Sequence, residues 1–271
     1  MIPVLSLRPG LVLCAVMAMA GVRAEEPERR RGGGEAEHPG PPALTEYKGR
    51  TIAQTMHWTG AEWLLRENRE QEENAALMLQ QLGLKEGWTV CDLGCGNGYH
   101  ALTMAKTVGA KGKILAVDIQ EQMLAMLKAR AEGRGLGNIE TIHGEAWDPK
   151  IPESSCDLIL LVDVYHEFSH PEHLLKAMRR ALKPEGRVAL VEFRAEDENV
   201  PIRPEHKMSR AQILKEWLPA GFALESEYRE LPWQHLMFFR RDDGKAAGPD
   251  GKSGAEQPEE RRRVVPAGES R

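Results

Sequence analysis

Cysteine is scarce in this chain. Of four in 271 residues, Cys14 falls in an N-terminal apolar run, and Cys91, Cys95 and Cys156 form no Cys-x-x-Cys pair. That usage excludes a dense disulfide framework and offers no zinc cluster, so no metal is assigned from the sequence. A basic excess is also missing: 36 Lys and Arg stand against 41 Asp and Glu, for a net charge of -5 and a pI near 6.0. There is no broad positive field to gather phosphates, which disfavours nucleic acid as the substrate. The apolar run Leu11 to Ala20 is too short to cross a bilayer, so stable membrane insertion is not expected.

That run instead has the form of an address. Arg8 precedes it, and Val22-Arg-Ala24 follows as a small-x-small cleavage pattern, so residues 1–24 are predicted to be a secretory signal peptide and the mature chain to be exported, with the periplasm as destination. An uncleaved leader on a cytoplasmic protein is the alternative. Cys14 lies inside the run after bulky Leu13, which argues against a lipoprotein. Residues 25–44 and 242–271 are rich in Glu, Arg, Gly and Pro, and are expected to be a disordered linker and tail. Residues 45–241 remain as one domain, with enough chain for one sizeable core.

Within it, strand and helix patterns alternate, as in a parallel sheet covered on both faces. Strands are expected at 89–93, 113–118, 139–143, 157–162 and 187–193, with helices starting near Tyr99, Glu121, Pro171 and Ser209. Two more, 223–231 and 234–240, flank Pro232-Trp233 too closely for a crossover and read as an antiparallel hairpin. A long amphipathic helix from Ala61 to Leu84 is expected to cover the N-terminal side, with Arg66 and Arg69 either facing an anion or paired with acids such as Glu73. The fold class is α/β: a Rossmann-like, doubly wound, mostly parallel seven-stranded sheet with a C-terminal hairpin and a helical N-terminal cover.

Asp92-Leu-Gly-Cys-Gly-Asn-Gly98 follows an apolar strand and opens a helix. A dinucleotide site wants a third glycine where this chain has Tyr99, and Asp92 would repel a pyrophosphate. A nicotinamide-dependent oxidoreductase is therefore the weaker alternative, and a cationic, phosphate-free nucleoside fits better. Asp118 ends the next strand roughly 20 residues beyond the turn, where an acid reads a ribose. These segments, with Gly144-Glu-Ala146 and Asp157-Leu-Ile-Leu-Leu-Val-Asp163 in the same order, resemble the class I S-adenosylmethionine-dependent methyltransferases of the type 11/25-like kind over residues 45–241.

The resemblance implies S-adenosylmethionine as cofactor, methyl transfer as activity and a small organic molecule as acceptor, with the oligomeric state unread. Asp92, Gly94, Cys95, Gly96 and Gly98 would meet the methionine part, Asp118 and Ile119 the ribose, Glu145, Ala146 and Trp147 the adenine, and Asp163 the reacting end. Because open parallel sheets bind ligands beyond their strand ends, Asp163, Tyr165 and His166 are the catalytic candidates. His166 would be the base, oriented by Asp163 or Glu167. In the competing reading Tyr165 packs, His166 caps a helix and no base is needed. Acceptor contacts are sought at Tyr47, His57, Trp58, Trp63, Arg194, Arg203, His206, Met208, Trp233 and His235. A noncatalytic cofactor-binding module also satisfies the motifs.

Overall fold

The computed structural model describes residues 40–244. The expected leader, most of the linker and most of the tail therefore lie outside the described residues. Residues 40–44, assigned to the linker, lie against the domain: Leu44 N–H donates to the Ser169 carbonyl at 2.9 Å, and the Pro41 carbonyl lies 2.8 Å from His170 Nε2.

The chain begins with a small antiparallel hairpin of β1 (Glu46–Tyr47) and β2 (Arg50–Thr51), followed by a 3₁₀ segment at Trp58–Leu65. Two short helices come next, α1 (Arg69–Glu73) and α2 (Ala75–Gln81). Then follow β3 (Thr89–Leu93), α3 (Ala101–Val108), β4 (Lys113–Asp118), α4 (Glu121–Glu132), β5 (Ile139–His143), β6 (Cys156–Val162), α5 (Pro171–Ala181), β7 (Leu182–Phe193), α6 (Arg210–Trp217), β8 (Phe222–Tyr228) and β9 (Gln234–Arg241). The sheet order is β5-β4-β3-β6-β7-β9-β8, parallel from β5 to β7, with β9 antiparallel to both β7 and β8.

The central strands are buried on both faces, which is why they read as unbroken apolar runs. Cys91, Leu93, Ile159, Leu161, Val188 and Leu190 point to one side, where they meet Leu175 and Met178 of α5 and Trp217 of α6. Val90, Ile114, Leu158 and Leu160 point to the other, against Met78 of α2, Met104 of α3 and Leu127 of α4. From β3 the chain builds outward to β5, then returns to place β6 on the other flank. The crevice between β3 and β6 is thus a topological switch point, where open α/β sheets hold ligands.

The continuous helix expected from Ala61 to Leu84 is a misreading. Arg66 leaves helical conformation at ψ 144°, and Asn74 adopts the left-handed region at φ 51°. Asn74 both closes α1 and caps α2, accepting from Leu77 N–H at 3.2 Å. Broken in this way, the segment turns Arg69 and Glu73 inward, and both are buried.

Candidate active site

A cavity of about 530 Å³ opens at the carboxyl ends of β3, β4, β6 and β7, and residues of the N-terminal cover and of the segment after β7 complete its wall. Its size suits a nucleoside-sized ligand. Gly94 and Gly96 form part of the wall where β3 turns toward α3. Both have positive φ, 77° and 51°. A Cβ on Gly94 would lie 2.4 Å from Val164 Cγ2, whose stiff, branched side chain has little room to yield. We expect Gly94→Ala to lower the melting temperature by about 4–10 °C through left-handed strain and displacement of Val164. Gly87→Ala is the comparison, since its φ is 84° but no atom lies within 4 Å of the added Cβ; an equal drop in both would mean that strain alone acts.

The next glycine serves packing instead. A Cβ on Gly98 would meet Leu127 Cγ at 2.6 Å, so this position lets the turn lie against α4 and does not form the wall. Cys95 is likewise buried behind the turn, its N–H on the Val117 carbonyl, and burial pushes its thiol up.

Asp92 and Asp118 are both buried. Asp118 accepts from Gly96 N–H and Gln120 N–H, each at 2.9 Å, so its carboxylate braces the glycine turn while standing on the wall beside Ile119. Burial raises its pKa, and those N–H groups hold it down in part. Asp92 has less support: Oδ2 has no hydrogen-bond partner among the described residues. Burial pushes its pKa up to about 7; the Ala101 N–H and Arg69 oppose the rise, and the Asp118 charge adds to it.

Gly144, Glu145 and Ala146 stand on the wall after β5, but Glu145 points its carboxylate to Lys150 Nζ at 2.9 Å, and that bond lowers its pKa. Trp147 is not brought to the cavity. Its ring packs edge-on to His170, with ring centres 6.0 Å apart.

The tip of β6 carries the reaction-side candidates. Asp163 sits at φ 51°, a conformation costly for a residue with a side chain and found where geometry matters more than local comfort. Its Oδ2 accepts from Gln234 Nε2 at 2.7 Å, and its Oδ1 has no partner among the described residues. Burial raises its pKa well above the usual range, and the charges of Glu73 and Glu192 raise it further.

Tyr165 faces the other way. Its hydroxyl donates to Glu216 Oε2 at 2.7 Å inside the core, the Arg50 guanidinium lies 5.3 Å from its ring centre, and it is not on the cavity wall. It anchors the loop and does not reach a reacting group. Arg50 reinforces that anchor by donating to Glu216 Oε1 at 2.8 Å and to the His166 carbonyl at 2.9 Å. The β1–β2 hairpin thereby grips the turn that presents His166.

His166 is buried on the wall, with Nδ1 2.6 Å from Glu192 Oε2 and Nε2 3.1 Å from His206 Nδ1. The same Glu192 accepts the backbone N–H of Tyr165 at 2.8 Å and of His166 at 3.3 Å through Oε1. Burial works against a charged His166 ring, but the Glu192 carboxylate outweighs it and the pKa is raised. Glu167 is pushed up to about 7 by burial, and its Oε1 accepts from Met56 N–H. The orienting carboxylate is thus Glu192, neither of the two expected.

Of the two readings of Arg69, pairing with Glu73 is the one observed. Arg69 stands on the wall with its guanidinium 4.0 Å from the Tyr99 ring centre and bonded to Glu73 and the Leu64 carbonyl, both at 2.8 Å. Of the acceptor contacts sought, Trp63, Arg203 and His206 reach the wall; Tyr47, His57, Trp58, Arg194, Met208, Trp233 and His235 do not.

A methyltransferase domain matches residues 84–241, more than half of the chain. The chain belongs to this methyltransferase domain family. The S-adenosylmethionine-dependent methyltransferase structure from Aquifex aeolicus is 26% identical with a TM-score of 0.64, covering 68% of this chain and 98% of that one. The demethylmenaquinone methyltransferase of Geobacillus kaustophilus is 29% identical over 115 residues, 42% of this chain and 49% of that protein. The ubiquinone/menaquinone biosynthesis C-methyltransferase UbiE of Escherichia fergusonii is 33% identical over 112 residues, 41% and 45% of the two chains. This chain spans about half the length of those two curated relatives.

The cofactor of this methyltransferase domain is S-adenosylmethionine, and the residues fit it. The unpartnered oxygens of Asp92 and Asp163 are acceptors at the carboxyl ends of β3 and β6, suited to a ligand that brings positive charge and no phosphate.

Proposed function

We propose that the protein is an S-adenosylmethionine-dependent methyltransferase acting on a small, largely apolar acceptor that carries an acidic hydroxyl. The observation that carries this reading is His166: a buried imidazole on the wall of the cofactor cavity, pinned through Nδ1, with its other nitrogen directed away from Glu192. When bound, the cofactor supplies a methyl group already activated on a sulfonium. In this reading Asp118, on the cavity wall, accepts from the ribose hydroxyls, and Asp92, buried behind the wall residues Leu93 and Gly94, meets the ammonium of the methionine part directly or through water. Asp163 lies at the tip of β6, where its unpartnered Oδ1 would accept from the cationic end of the cofactor.

On the acceptor side the chain has to align a nucleophile and accept its proton. With Nδ1 donating to Glu192, the neutral His166 ring carries its lone pair on Nε2, the tautomer a base requires. Met56, Trp63, Phe168, Leu174, Phe193 and Ile202 give the wall an apolar surface. An aromatic ring bearing a hydroxyl suits that wall, and quinone chemistry is what the names of the relatives describe.

Calorimetric titration of Asp118→Ala with S-adenosylmethionine should show affinity weakened by about 10–100-fold, for about 1–3 kcal/mol of lost hydrogen bonding to a charged group. His166→Ala should bind like wild type and lose turnover on hydroxylated aromatic acceptors. Equal loss of binding in the two variants would refute this division of roles, and binding without turnover across such acceptors would favour a noncatalytic module. Export is a separate proposal: the chain recovered from the periplasm should begin near Glu25, and a cytosolic chain retaining Met1 would overturn it.

A further inference from the structure

His166 and His206 are 40 residues apart in sequence, yet Nε2 of the first and Nδ1 of the second lie 3.1 Å apart. Glu167 brings Oε1 to 4.0 Å from the same Nε2, and one donor atom from each of the three residues falls within 4.8 Å of the others. Two donors on one tetrahedral ion, each about 2.0–2.2 Å from it, are separated by roughly 3.3–3.6 Å. The two imidazole nitrogens are already near that spacing, and the Glu167 oxygen would have to move closer by about an ångström to complete it.

We propose that His166, Glu167 and His206 form a three-ligand site for a divalent transition metal ion, opening into the acceptor side of the cavity. Four features support it. The donor set of two imidazoles and one carboxylate suits zinc or iron(II) and not the oxygen-seeking magnesium or calcium. His166 already has the outer partner that metal-bound histidines use: Nδ1 is 2.6 Å from a fully buried carboxylate, Glu192, which fixes the ring and leaves Nε2 as the donor. All three residues are on the cavity wall, so a bound ion would keep open positions for a small molecule, the arrangement of a catalytic and not a structural site. Finally, His206 sits in the 3₁₀ turn Pro204–His206 after β7, a short connection able to close on an ion by small shifts.

The role of the ion rests on the methyltransferase reading. It would hold the acceptor through its hydroxyl oxygen, the proton leaving to solvent as the oxygen binds, and it would do so on the same side from which His166 otherwise accepts that proton. Deprotonation then requires no side-chain base, and His166 serves as a ligand.

The test uses the full chain, dialysed against a chelator and then titrated with zinc(II) and, in parallel, cobalt(II), whose visible absorption reports its ligands. One equivalent of each is expected to bind, with magnesium failing to compete. His206→Ala and Glu167→Gln should each weaken binding by at least about 100-fold, Glu192→Gln by about 10–100-fold as an outer partner, and the exposed His143→Ala not at all. Unchanged melting temperatures in chelator show that the variants are folded, and Glu167→Gln carries the test if His206→Ala is not. Absence of saturable binding, binding that survives both ligand substitutions, or a cobalt spectrum dominated by thiolate would overturn the site. S-adenosylmethionine titration in chelator separates the two proposals: cofactor binding and turnover that persist without metal leave the methyltransferase standing and remove the ion from its reaction, whereas metal binding without cofactor binding does the reverse.

Discussion

Replacing Glu192 by alanine is expected to lower turnover by about 10²–10³-fold while leaving S-adenosylmethionine affinity nearly unchanged. Glu192 lies on β7, fully buried, and its two oxygens serve three donors: the Tyr165 and His166 N–H groups and the His166 ring. Among the described residues, no other holds the β6 tip and the imidazole at once. Truncation leaves these donors without a partner in a space that water reaches poorly, which costs about 3–5 kcal/mol for a broken buried pair and about 10 °C in melting temperature for a domain of this size.

A second variant separates that cost from the function. Glu192→Gln keeps a carbonyl oxygen for the backbone N–H groups, but its amide N–H faces the ring. The ring then presents an acceptor at Nδ1 and carries its proton on Nε2, the wrong tautomer both for a base and for a metal ligand. Stability close to wild type combined with a turnover loss like that of alanine is the expected pattern. Thermal melts, calorimetric cofactor affinity and kcat on one preparation of each variant decide it. A fully active glutamine variant would mean that Glu192 only braces the loop.

The parts of this architecture legible in the sequence are those whose cause is local. β3 and β4 are largely apolar runs that end at Leu93, before Gly94, and at Asp118, the mixed strand β5 ends before Gly144, and the observed limits of all three coincide with those expected. The glycine turn between β3 and α3 was legible for the same reason, since a turn that leads a strand into a helix depends on a few consecutive residues. The α1–α2 break was not. Its cause is a single left-handed Asn74 inside a stretch with helical periodicity, and asparagine there is a weak signal until the tertiary position of Arg69 is known.

Long-range placement accounts for the other differences. Glu192 reads as an ordinary polar residue near the end of an apolar strand, and only the parallel pairing of β6 with β7 puts it under His166. His206 comes from a loop with no pattern of its own. Tyr165 neighbours His166 in the chain, but successive residues of the 3₁₀ turn at Tyr165–Glu167 project to different sides, so one enters the core and the next the cavity.

The substitution Asp92→Asn should make the protein more stable and less able to bind its cofactor. Asp92 is buried with one oxygen unpartnered, and burial carries its pKa from 3.8 to about 7 in the folded chain. The folded state thus holds this proton more tightly than the unfolded state. The stability linked to it is fully present below about pH 4 and is lost as pH rises through 7, where the cost of the buried charge approaches about 4 kcal/mol. Asparagine carries no such charge but still leaves polar atoms short of partners, so the net gain at pH 8 is about 1–3 kcal/mol, or about 3–10 °C, and no gain is expected near pH 4. Binding should move the other way. A ligand ammonium favours the ionised carboxylate, so wild-type affinity should fall by up to about tenfold per pH unit below 7, with proton release visible as calorimetric heats that depend on the buffer. The asparagine variant should bind about 10–100-fold more weakly at pH 7.5 and lose most of that pH dependence. Melting curves at pH 4.5 and 8 with titrations at pH 6 and 7.5 measure both effects. A variant no more stable at pH 8 would show that Asp92 is not held as a costly buried charge, and undiminished binding would remove it from the cofactor site. The stability forgone at Asp92 is what we expect of a residue kept for its ligand, since a group that satisfied itself within the fold would have nothing left to offer a cation.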